Sequence, residues 1–172
     1  PHTAERTHVI YHGADHLRAD AATTGPLRGQ ALDIQGPYVL FVGRRESYKN
    51  FTTLMRATQS KAWDRSVKVV AVGPEPTAVE SAQYATPLNR GDLIFAVDVS
   101  NAALQRLLAG AAALVFPSEM EGFGFPIIEA QSMATPVVCS DTPIFREVGG
   151  DGALYFPPTD PDALADRVNE SL

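Results

Sequence analysis

Short apolar segments alternate with amphipathic ones along most of this chain, and that alternation restricts the fold more than any other feature. A representative apolar segment is 38–42, which reads YVLFV and is closed by Gly43. Runs of this kind are typical of strands that are buried on both faces of a parallel sheet. The stretches between the runs are too long for hairpins and carry apolar residues at helical spacing. The pattern therefore predicts an α/β fold with a doubly wound, mostly parallel sheet.

The same pattern places the individual elements. Strands are predicted at 38–42, 67–72, 93–97, 112–116, 136–139 and 153–156. Helices are predicted from Phe51 to near Trp63, weakly around 78–85, around 104–108, from Pro126 onwards, at 144–148, and after Asp160 as the N-cap. Residues 1–8 are predicted to be a tail or linker remnant, 9–13 a short strand, and 18–36 an exposed loop.

Composition and charge exclude several classes of protein. The chain has 172 residues, of which 45% are hydrophobic and 20% charged, as expected for one globular domain with a good core. A formal net charge of −6 argues against a nucleic-acid partner. Cys139 is the only cysteine and lies in an apolar run, which predicts a buried, inert thiol. No apolar run approaches the length of a membrane span, so a reducing cytoplasm is the expected compartment.

Three histidines near the start of the chain have a spacing that suggests a metal site. His8, His12 and His16 are four residues apart and would lie on one face of a helix. The apolar residues between them and Gly13 favour a strand and a turn instead. No metal site is predicted here or elsewhere in the chain.

The segment 118–134, predicted as a glycine loop that leads into a helix, carries two carboxylates, Glu121 and Glu129. Glycine allows the backbone to approach a ligand closely, and the free N–H groups at a helix start favour an anion. Carboxylates accept hydrogen bonds from hydroxyl groups, as in sugars and ribose. The alternative is that Glu129 only complements the helix dipole while Glu121 is solvated.

The loops after four predicted strands favour the ligand-binding interpretation, because ligands of such sheets bind at the carboxyl ends of the strands. Arg44 offers a planar fork suited to phosphate oxygens and Lys49 a compact charge, although the adjacent Arg45 is an alternative to Arg44. The residues at this edge are Gly43, Arg44 and Lys49 after the first strand, Gly73 and Pro74 after the second, 98–101 after the third, and 118–124 after the fourth.

The sequence EGFGFPIIEA at 121–130 resembles the E-x7-E motif of retaining GT-B glycosyltransferases, in particular the family 4 or group 1 type that includes many bacterial mannosyltransferases. Gly43-Arg44 together with Lys49 resembles a second motif of that family at the expected distance upstream. The resemblance covers about 9–168. It implies a Rossmann-like sheet that forms one half of a GT-B fold, namely its C-terminal, donor-binding domain.

The resemblance also implies roles for single residues. Arg44 and Lys49 are assigned to the diphosphate of a nucleotide sugar, Glu129 to the ribose and Glu121 to the hexose. Arg44, Lys49 and Glu121 are the implied catalytic residues. The resemblance implies further substrate-binding residues in three places. Gly43 and Gly73 follow the first two strands, and Val99 and Ser100 lie in the base-binding segment. Gly122, Phe123, Gly124 and Phe125 form the glycine loop, where the backbone of Phe123 and Gly124 lies against phosphate or sugar.

Two departures from the family pattern concern the nucleobase. The segment 95–104 matches the base-binding segment, in which the backbone around Val99 would meet the base. Val97 stands where the family usually has glycine, and Asn101 where it usually has aspartate. These departures leave GDP-linked and UDP-linked donors both open. The sequence DTPIFRE at 141–147 resembles a segment frequent in polysaccharide mannosyl- and rhamnosyltransferases, which favours GDP-mannose.

The function implied is transfer of a hexose, mannose favoured, to a saccharide or lipid-linked acceptor in surface polysaccharide synthesis. We expect no cofactor and no metal, because positive charge at the leaving diphosphate would replace a metal. Residues 1–172 are expected to form one domain that lacks an N-terminal acceptor domain and binds nucleotide without transferring sugar. The full-length protein is expected in the cytoplasm, in peripheral contact with the inner face of the membrane.

Two other functions remain open at this point. One is a nucleotide- or sugar-binding module without transfer activity. The other is a dinucleotide-dependent dehydrogenase, which is disfavoured because no G-x-G-x-x-G follows the first strand with an acid on the next.

Overall fold

The structure, a computed structural model, describes Gly13, residues 34–45 and residues 47–172. The predicted tail, the histidines and most of the predicted strand and loop before residue 37 lie outside the described residues. The strands are β1 Tyr38–Val42, β2 Lys68–Val72, β3 Leu93–Ala96, β4 Ala113–Phe116, β5 Val137–Ser140 and β6 Ala153–Phe156. The helices are α1 Phe51–Ala57, α2 Ala78–Gln83, α3 Ala85–Arg90, α4 Asn101–Gly110, α5 Phe125–Ser132, α6 Pro143–Gly149 and α7 Pro161–Ser171, and 3-10 turns cover Ser47–Lys49 and Gly150–Gly152.

The strands form one sheet in the order β3-β2-β1-β4-β5-β6, and every pair is parallel. The predicted doubly wound, Rossmann-like fold is thus confirmed, with a sheet that is wholly parallel among the described residues. β1 pairs with β2 on one side and β4 on the other, as when Leu40 lies between Val70 and Leu114. The strand order reverses at β1, which is where ligands bind in sheets of this kind.

Both faces of the sheet are buried, which explains why the strands appear in the sequence as unbroken apolar runs. Val39 and Phe41 of β1 join a cluster that contains residues of α1 and α7. Leu40 joins the opposite cluster, which contains residues of α4, α5 and α6. All three side chains are fully buried. Cys139 of β5 is also fully buried, and burial raises the pKa of its thiol to about 12.

The prediction that α1 continues to near Trp63 was wrong, since α1 ends at Ala57. The hydroxyl of Thr58 donates to the carbonyl of Met55 at 2.8 Å, a local bond that competes with helix continuation. Trp63 is buried from the following turn instead, and its Nε1 donates to the carbonyl of Val67 at 3.2 Å. The apolar pattern in the sequence continues past the end of α1, because a turn can bury a large side chain as well as a helix can.

Two further differences from the prediction concern α3 and the start of α5. α3 was not predicted, since the sequence indicated only a weak helix around 78–85. Pro87 lies in the first turn of α3, where a missing N–H is tolerated. α5 begins at Phe125 with Gly124 as its N-cap, so Pro126 is the second helical residue. None of the helices in the described part of the chain is both long and apolar enough for a membrane crossing.

Asp160 is the N-cap of α7, as predicted, and its Oδ1 accepts from the backbone N–H of Ala163 at 2.9 Å. We expect Asp160→Ala to lower the free energy of unfolding by about 1 kcal/mol, since that N–H loses its partner. Asp162→Ala, in the same first turn, is the matched control and should cost less. Urea unfolding of both variants checks this, and equal losses would show that the cap bond is unimportant.

Candidate functional site

The loops after β1 and β2 lie in direct contact because residue 73 is glycine. The backbone N–H of Gly43 donates to the carbonyl of Val72 at 2.9 Å, and that of Gly73 donates to the carbonyl of Ala96 at 3.1 Å. A Cβ on Gly73 would lie 2.3 Å from the carbonyl oxygen of Gly43, so no side chain fits there. Gly43 itself has a φ of +137°, a conformation that side chains disfavour.

An ion pair joins the loops after β1 and β4. Lys49 lies at the end of the 3-10 turn after β1, and its Nζ is 2.5 Å from Oε1 of Glu121. Each of the two side chains is only 16% exposed. The backbone N–H of Glu119 also donates to the carbonyl of Tyr48 at 2.8 Å, which fixes the two loops to each other. The structure thus brings together two of the three predicted catalytic residues.

The ion pair leaves binding capacity on both of its members. The ammonium group of Lys49 has three N–H donors, and the carboxylate of Glu121 has a second oxygen. Lys49 Nζ lies 5.7 Å from the ring centroid of Phe116, which is a favourable position for a cation. A ligand with both a phosphate oxygen and a sugar hydroxyl can therefore contact the pair without separating it.

The two arginines after β1 have different surroundings. Arg44 is exposed, whereas the side chain of Arg45 is only 2% exposed. Arg45 Nε contacts Glu80 Oε1 at 2.7 Å, and Nη2 donates to the carbonyl of Pro74 at 2.8 Å. Its guanidinium lies 4.7 Å from the ring centroid of Phe95. Arg45 therefore ties the loop after β1 to the loop after β2, to α2 and to β3.

Arg45 also controls the ionisation of its partner. Its hydrogen bond, together with bonds from Thr77, holds the pKa of Glu80 below the usual value for glutamate. In the sequence Arg45 is only an alternative to Arg44, and this role was not predicted. The available signal was an arginine and a glutamate after adjacent strands, Arg45 after β1 and Glu80 in α2, although nothing in the sequence pairs them.

The glycine loop leads into α5 through a backbone that only glycine adopts easily. Gly124 has a φ of +103°, and a Cβ there would lie 3.3 Å from Cδ1 of Ile127. The space around Gly122 is open. The rings of Phe123 and Phe125 lie 5.1 Å apart, and Phe125 is exposed. No side chain caps α5, so the N–H groups of its first turn face the end where the glycine loop lies.

Two further residues of the predicted site, Glu129 and Ser100, are positioned by helices α5 and α4. Glu129 is half-buried in the second turn of α5, past the glycine loop that holds Glu121. Ser100 is the N-cap of α4, and its hydroxyl accepts from the N–H of Ala103 at 3.3 Å. That bond gives Ser100 a structural role, as the N-cap of α4, that was not predicted.

The turn after β3 is shaped by an unusual backbone conformation. Asp98 has a φ of +52°, which is uncommon for a residue with a side chain. Val99 follows it and packs its side chain against the core cluster that contains Leu40. Its backbone, rather than its side chain, is therefore the part that remains for a ligand. In the described ranges, no group of three or more His, Cys, Asp or Glu residues could hold a metal ion.

The fold and the polar residues gathered at one sheet edge define a Rossmann-like α/β domain with a candidate ligand site where the strand order reverses. The family of glycosyl transferases group 1 matches residues 28–172. The chain therefore belongs to the group 1 glycosyltransferase family, and its fold is that of one Rossmann-like half of GT-B glycosyltransferases.

Similar proteins include O-antigen enzymes. The O-antigen chain mannosyltransferase RfbU of Salmonella typhimurium is 39% identical over 125 residues, which are 72% of this chain and 35% of that protein. The O-antigen chain mannosyltransferase B of Escherichia coli is 32% identical over 159 residues, or 90% of this chain and 42% of that protein. This chain thus spans less than half the length of either relative.

A solved structure gives the same result for the fold. Sucrose-phosphate synthase from Thermosynechococcus elongatus superposes with a TM-score of 0.66 at 25% identity. The match covers 81% of this chain and 37% of that one.

The contacts of Arg45 predict a large effect of its removal. We expect Arg45→Met to lower the free energy of unfolding by roughly 2–3 kcal/mol, because charge-assisted hydrogen bonds are lost from a buried guanidinium. Arg65→Met is the matched control, since exposed Arg65 also donates to two carbonyls, those of Thr58 and Ser60. Its loss should be about 1 kcal/mol.

The pH dependence of the Arg45→Met effect is a second readout. The lowered pKa of Glu80 contributes stability that is present above the usual glutamate pKa and is lost as the pH falls through the lowered value. The difference between wild type and Arg45→Met should therefore shrink at acid pH, measured by urea unfolding. A difference that is constant with pH, or equal losses for Arg45→Met and Arg65→Met, would contradict this role.

Proposed function

We propose that this chain is the donor-binding domain of a retaining glycosyltransferase. In this proposal the full-length enzyme transfers a hexose from a nucleotide diphosphate sugar to a saccharide or lipid-linked acceptor in surface polysaccharide synthesis. The observation that carries the proposal is the Lys49–Glu121 ion pair at the reversal point of the sheet. The similarity to two O-antigen mannosyltransferases supports mannose as the hexose.

In this proposal the diphosphate of the donor binds to three groups at the edge of the sheet. Exposed Arg44 and the ammonium of Lys49 lie in one loop after β1, and the uncapped N-terminus of α5 follows the loop after β4. All three offer N–H donors to an anion. Negative charge grows on the leaving diphosphate as the glycosidic bond breaks, and donors fixed in advance stabilise it. Charge on these side chains would then do what a metal ion does in other transferases.

The two carboxylates have different places along the donor. Glu121 lies in the glycine loop beside Lys49, whereas Glu129 lies in the second turn of α5. With the diphosphate at the start of α5, the ribose and the hexose lie on opposite sides of it. Glu129 then accepts hydrogen bonds from the ribose and Glu121 from the hexose. This is unlike a retaining glycosidase, in which two carboxylates face one scissile bond about 5 Å apart.

We expect the chain to bind GDP-mannose, and to bind it equally well in the presence of EDTA. Arg44→Ala should weaken binding of the nucleotide diphosphate by about 10- to 150-fold, the factor that corresponds to one charge-assisted hydrogen bond. Arg167→Ala is the control, because Arg167 is an exposed arginine of α7 that pairs with Glu170. Titration calorimetry measures all three proteins.

Several outcomes would overturn this assignment. Loss of binding in EDTA would show that a metal ion carries the diphosphate. Equal affinities of Arg44→Ala and Arg167→Ala would remove Arg44 from the site. UDP-glucose and NAD are titrated alongside GDP-mannose: tighter binding of UDP-glucose would change the donor, and binding of NAD alone would restore the dehydrogenase alternative.

The two glutamates give a separate test of the donor's orientation. Glu129→Ala should weaken GDP and GDP-mannose by similar factors, because both ligands contain the ribose. Glu121→Ala should spare GDP and weaken only GDP-mannose, because only that ligand contains the hexose. Calorimetric titration of both variants with both ligands provides the four affinities. If Glu121→Ala lost as much affinity for GDP as for GDP-mannose, the division of roles would be wrong.

A further inference from the structure

A cavity of about 510 Å³ opens at the other end of the sheet from the candidate donor site. It lies between α1, the turns that follow α1, and α3. Val67 and Asp92, which line it, immediately precede β2 and β3. The cavity is therefore at the amino ends of these strands, whereas Lys49 and Glu121 follow the carboxyl ends of β1 and β4.

Positive charge is concentrated around this cavity. Arg56, Arg65 and Arg90 line it, and Asp92 is the single carboxylate among the lining residues. Three positive charges and one negative charge give a local formal charge of +2, although the whole chain carries −6. A local excess of positive charge favours binding of an anion in this cavity, in spite of the negative charge of the whole chain.

The arginines are available to a ligand. Arg65 lines the cavity, and its guanidinium donates to the carbonyls of Thr58 and Ser60, at 2.6 and 3.0 Å, which fixes its position there. The side chains of Arg56 and Arg90 are exposed, and neither has a side-chain hydrogen bond or ion pair with the described part of the chain. A guanidinium group presents a planar fork of donors that matches phosphate oxygens.

The aromatic and polar lining of the cavity and its volume favour a ligand that is larger than inorganic phosphate. Trp63 and Tyr84 line the cavity and are only 4% and 8% exposed, so the cavity has an aromatic part to its lining. Hydroxyl and amide side chains such as those of Thr52, Gln59 and Gln83 line the wall and can bond to hydroxyl groups. The volume lies in the range of sites for small organic ligands.

We propose that this cavity is a second ligand site, separate from the donor edge, which binds a small phosphate monoester with a hydroxyl-bearing ring, of the hexose monophosphate class. The phosphate contacts Arg56, Arg65 and Arg90, and the ring lies over Trp63 among the polar wall residues. The inference stands on these residues alone and does not depend on the identity of the donor.

The sequence provides its own reporter for the test. Trp63 is the only tryptophan of the chain, so intrinsic tryptophan fluorescence reports on this cavity and not on the donor edge. The chain is titrated with mannose 6-phosphate, with inorganic phosphate and with mannose, and calorimetry is recorded in parallel. We expect saturable binding of mannose 6-phosphate, weaker binding of inorganic phosphate, and none of mannose. The binding should persist in saturating GDP.

Surface variants assign the binding to the cavity. Arg56→Gln and Arg90→Gln should each weaken mannose 6-phosphate by about tenfold or more, because each removes a charged donor at an exposed position. Arg167→Gln, on α7, and Arg44→Ala, at the donor edge, should bind it as the wild type does. Retained binding in Arg44→Ala keeps this test independent of the proposed function.

Three results would overturn the proposal. The first is the absence of any saturable heat or fluorescence change up to roughly 10 mM mannose 6-phosphate, a concentration well above millimolar affinity. The second is unchanged affinity in both Arg56→Gln and Arg90→Gln. The third is loss of binding in Arg44→Ala or in saturating GDP, which would place the sugar phosphate at the donor edge.

Discussion

Parallel pairing of β1 with β2 on one side and β4 on the other is the constraint on which the candidate site depends. Because parallel strands end at the same edge, the loops after β1 and β4 become neighbours there. Lys49 and Glu121 are 72 positions apart in the chain, yet they form an ion pair. No local preference of either loop could produce that contact. The reversal of strand order opens the crevice, and the ion pair lies where the crevice begins.

Small residues decide how closely the loops at this edge can approach one another. The absence of a side chain at Gly73 lets the loop after β2 lie against the carbonyl of Gly43. Arg45 then covers the contact, with one bond to Glu80 and one to the carbonyl of Pro74. Gly73 thus allows the two loops to approach closely, and the side chain of Arg45 covers the place where they meet. Arg44 remains on the outer side of this packing, exposed, which is the place a phosphate-binding side chain requires.

The parts of the fold that could be predicted from the sequence are those governed by burial on two faces. β1 and β6 were predicted at their observed bounds and the other strands within one residue, because a doubly buried strand has few polar residues to blur its ends. The end of α1 was not predictable in this way. Trp63 lies in a turn after α1 and is buried, so it continues the apolar pattern of the helix beyond the last helical residue. α3 was not predicted, although Pro87 lies in its first turn, where proline is compatible with a helix.

The residues of the candidate site could be recognised in the sequence, but the contacts between their side chains could not. Motif residues such as Lys49 and Glu121 could be recognised singly, but a sequence does not state that their side chains pair. The same holds for Arg45, whose partner Glu80 lies on an unrelated helix. Long-range pairing follows from tertiary geometry, and tertiary geometry is what strand patterns leave undetermined.

Asn50 shows how the remainder of the fold holds Lys49 in position. It is the residue between the 3-10 turn that ends at Lys49 and the first residue of α1, and it has a left-handed backbone with a φ of 53°. Asparagine tolerates that conformation better than most residues. Its side chain is nearly buried, where Nδ2 donates to the carbonyl of Pro158 at 2.7 Å and Oδ1 accepts from the hydroxyl of Thr53 at 2.7 Å.

The bonds of Asn50 connect the start of α1 to the loop between β6 and α7. The direction of α1 and the position of the Lys49 turn are therefore fixed by the same residue. α1 in turn carries Met55 and Arg56 to the cavity at the amino ends of the strands. One short helix thus begins directly after the turn that holds Lys49 and carries side chains of its last turn to the arginine-lined cavity. Its packing in the core fixes the position of both features in the fold.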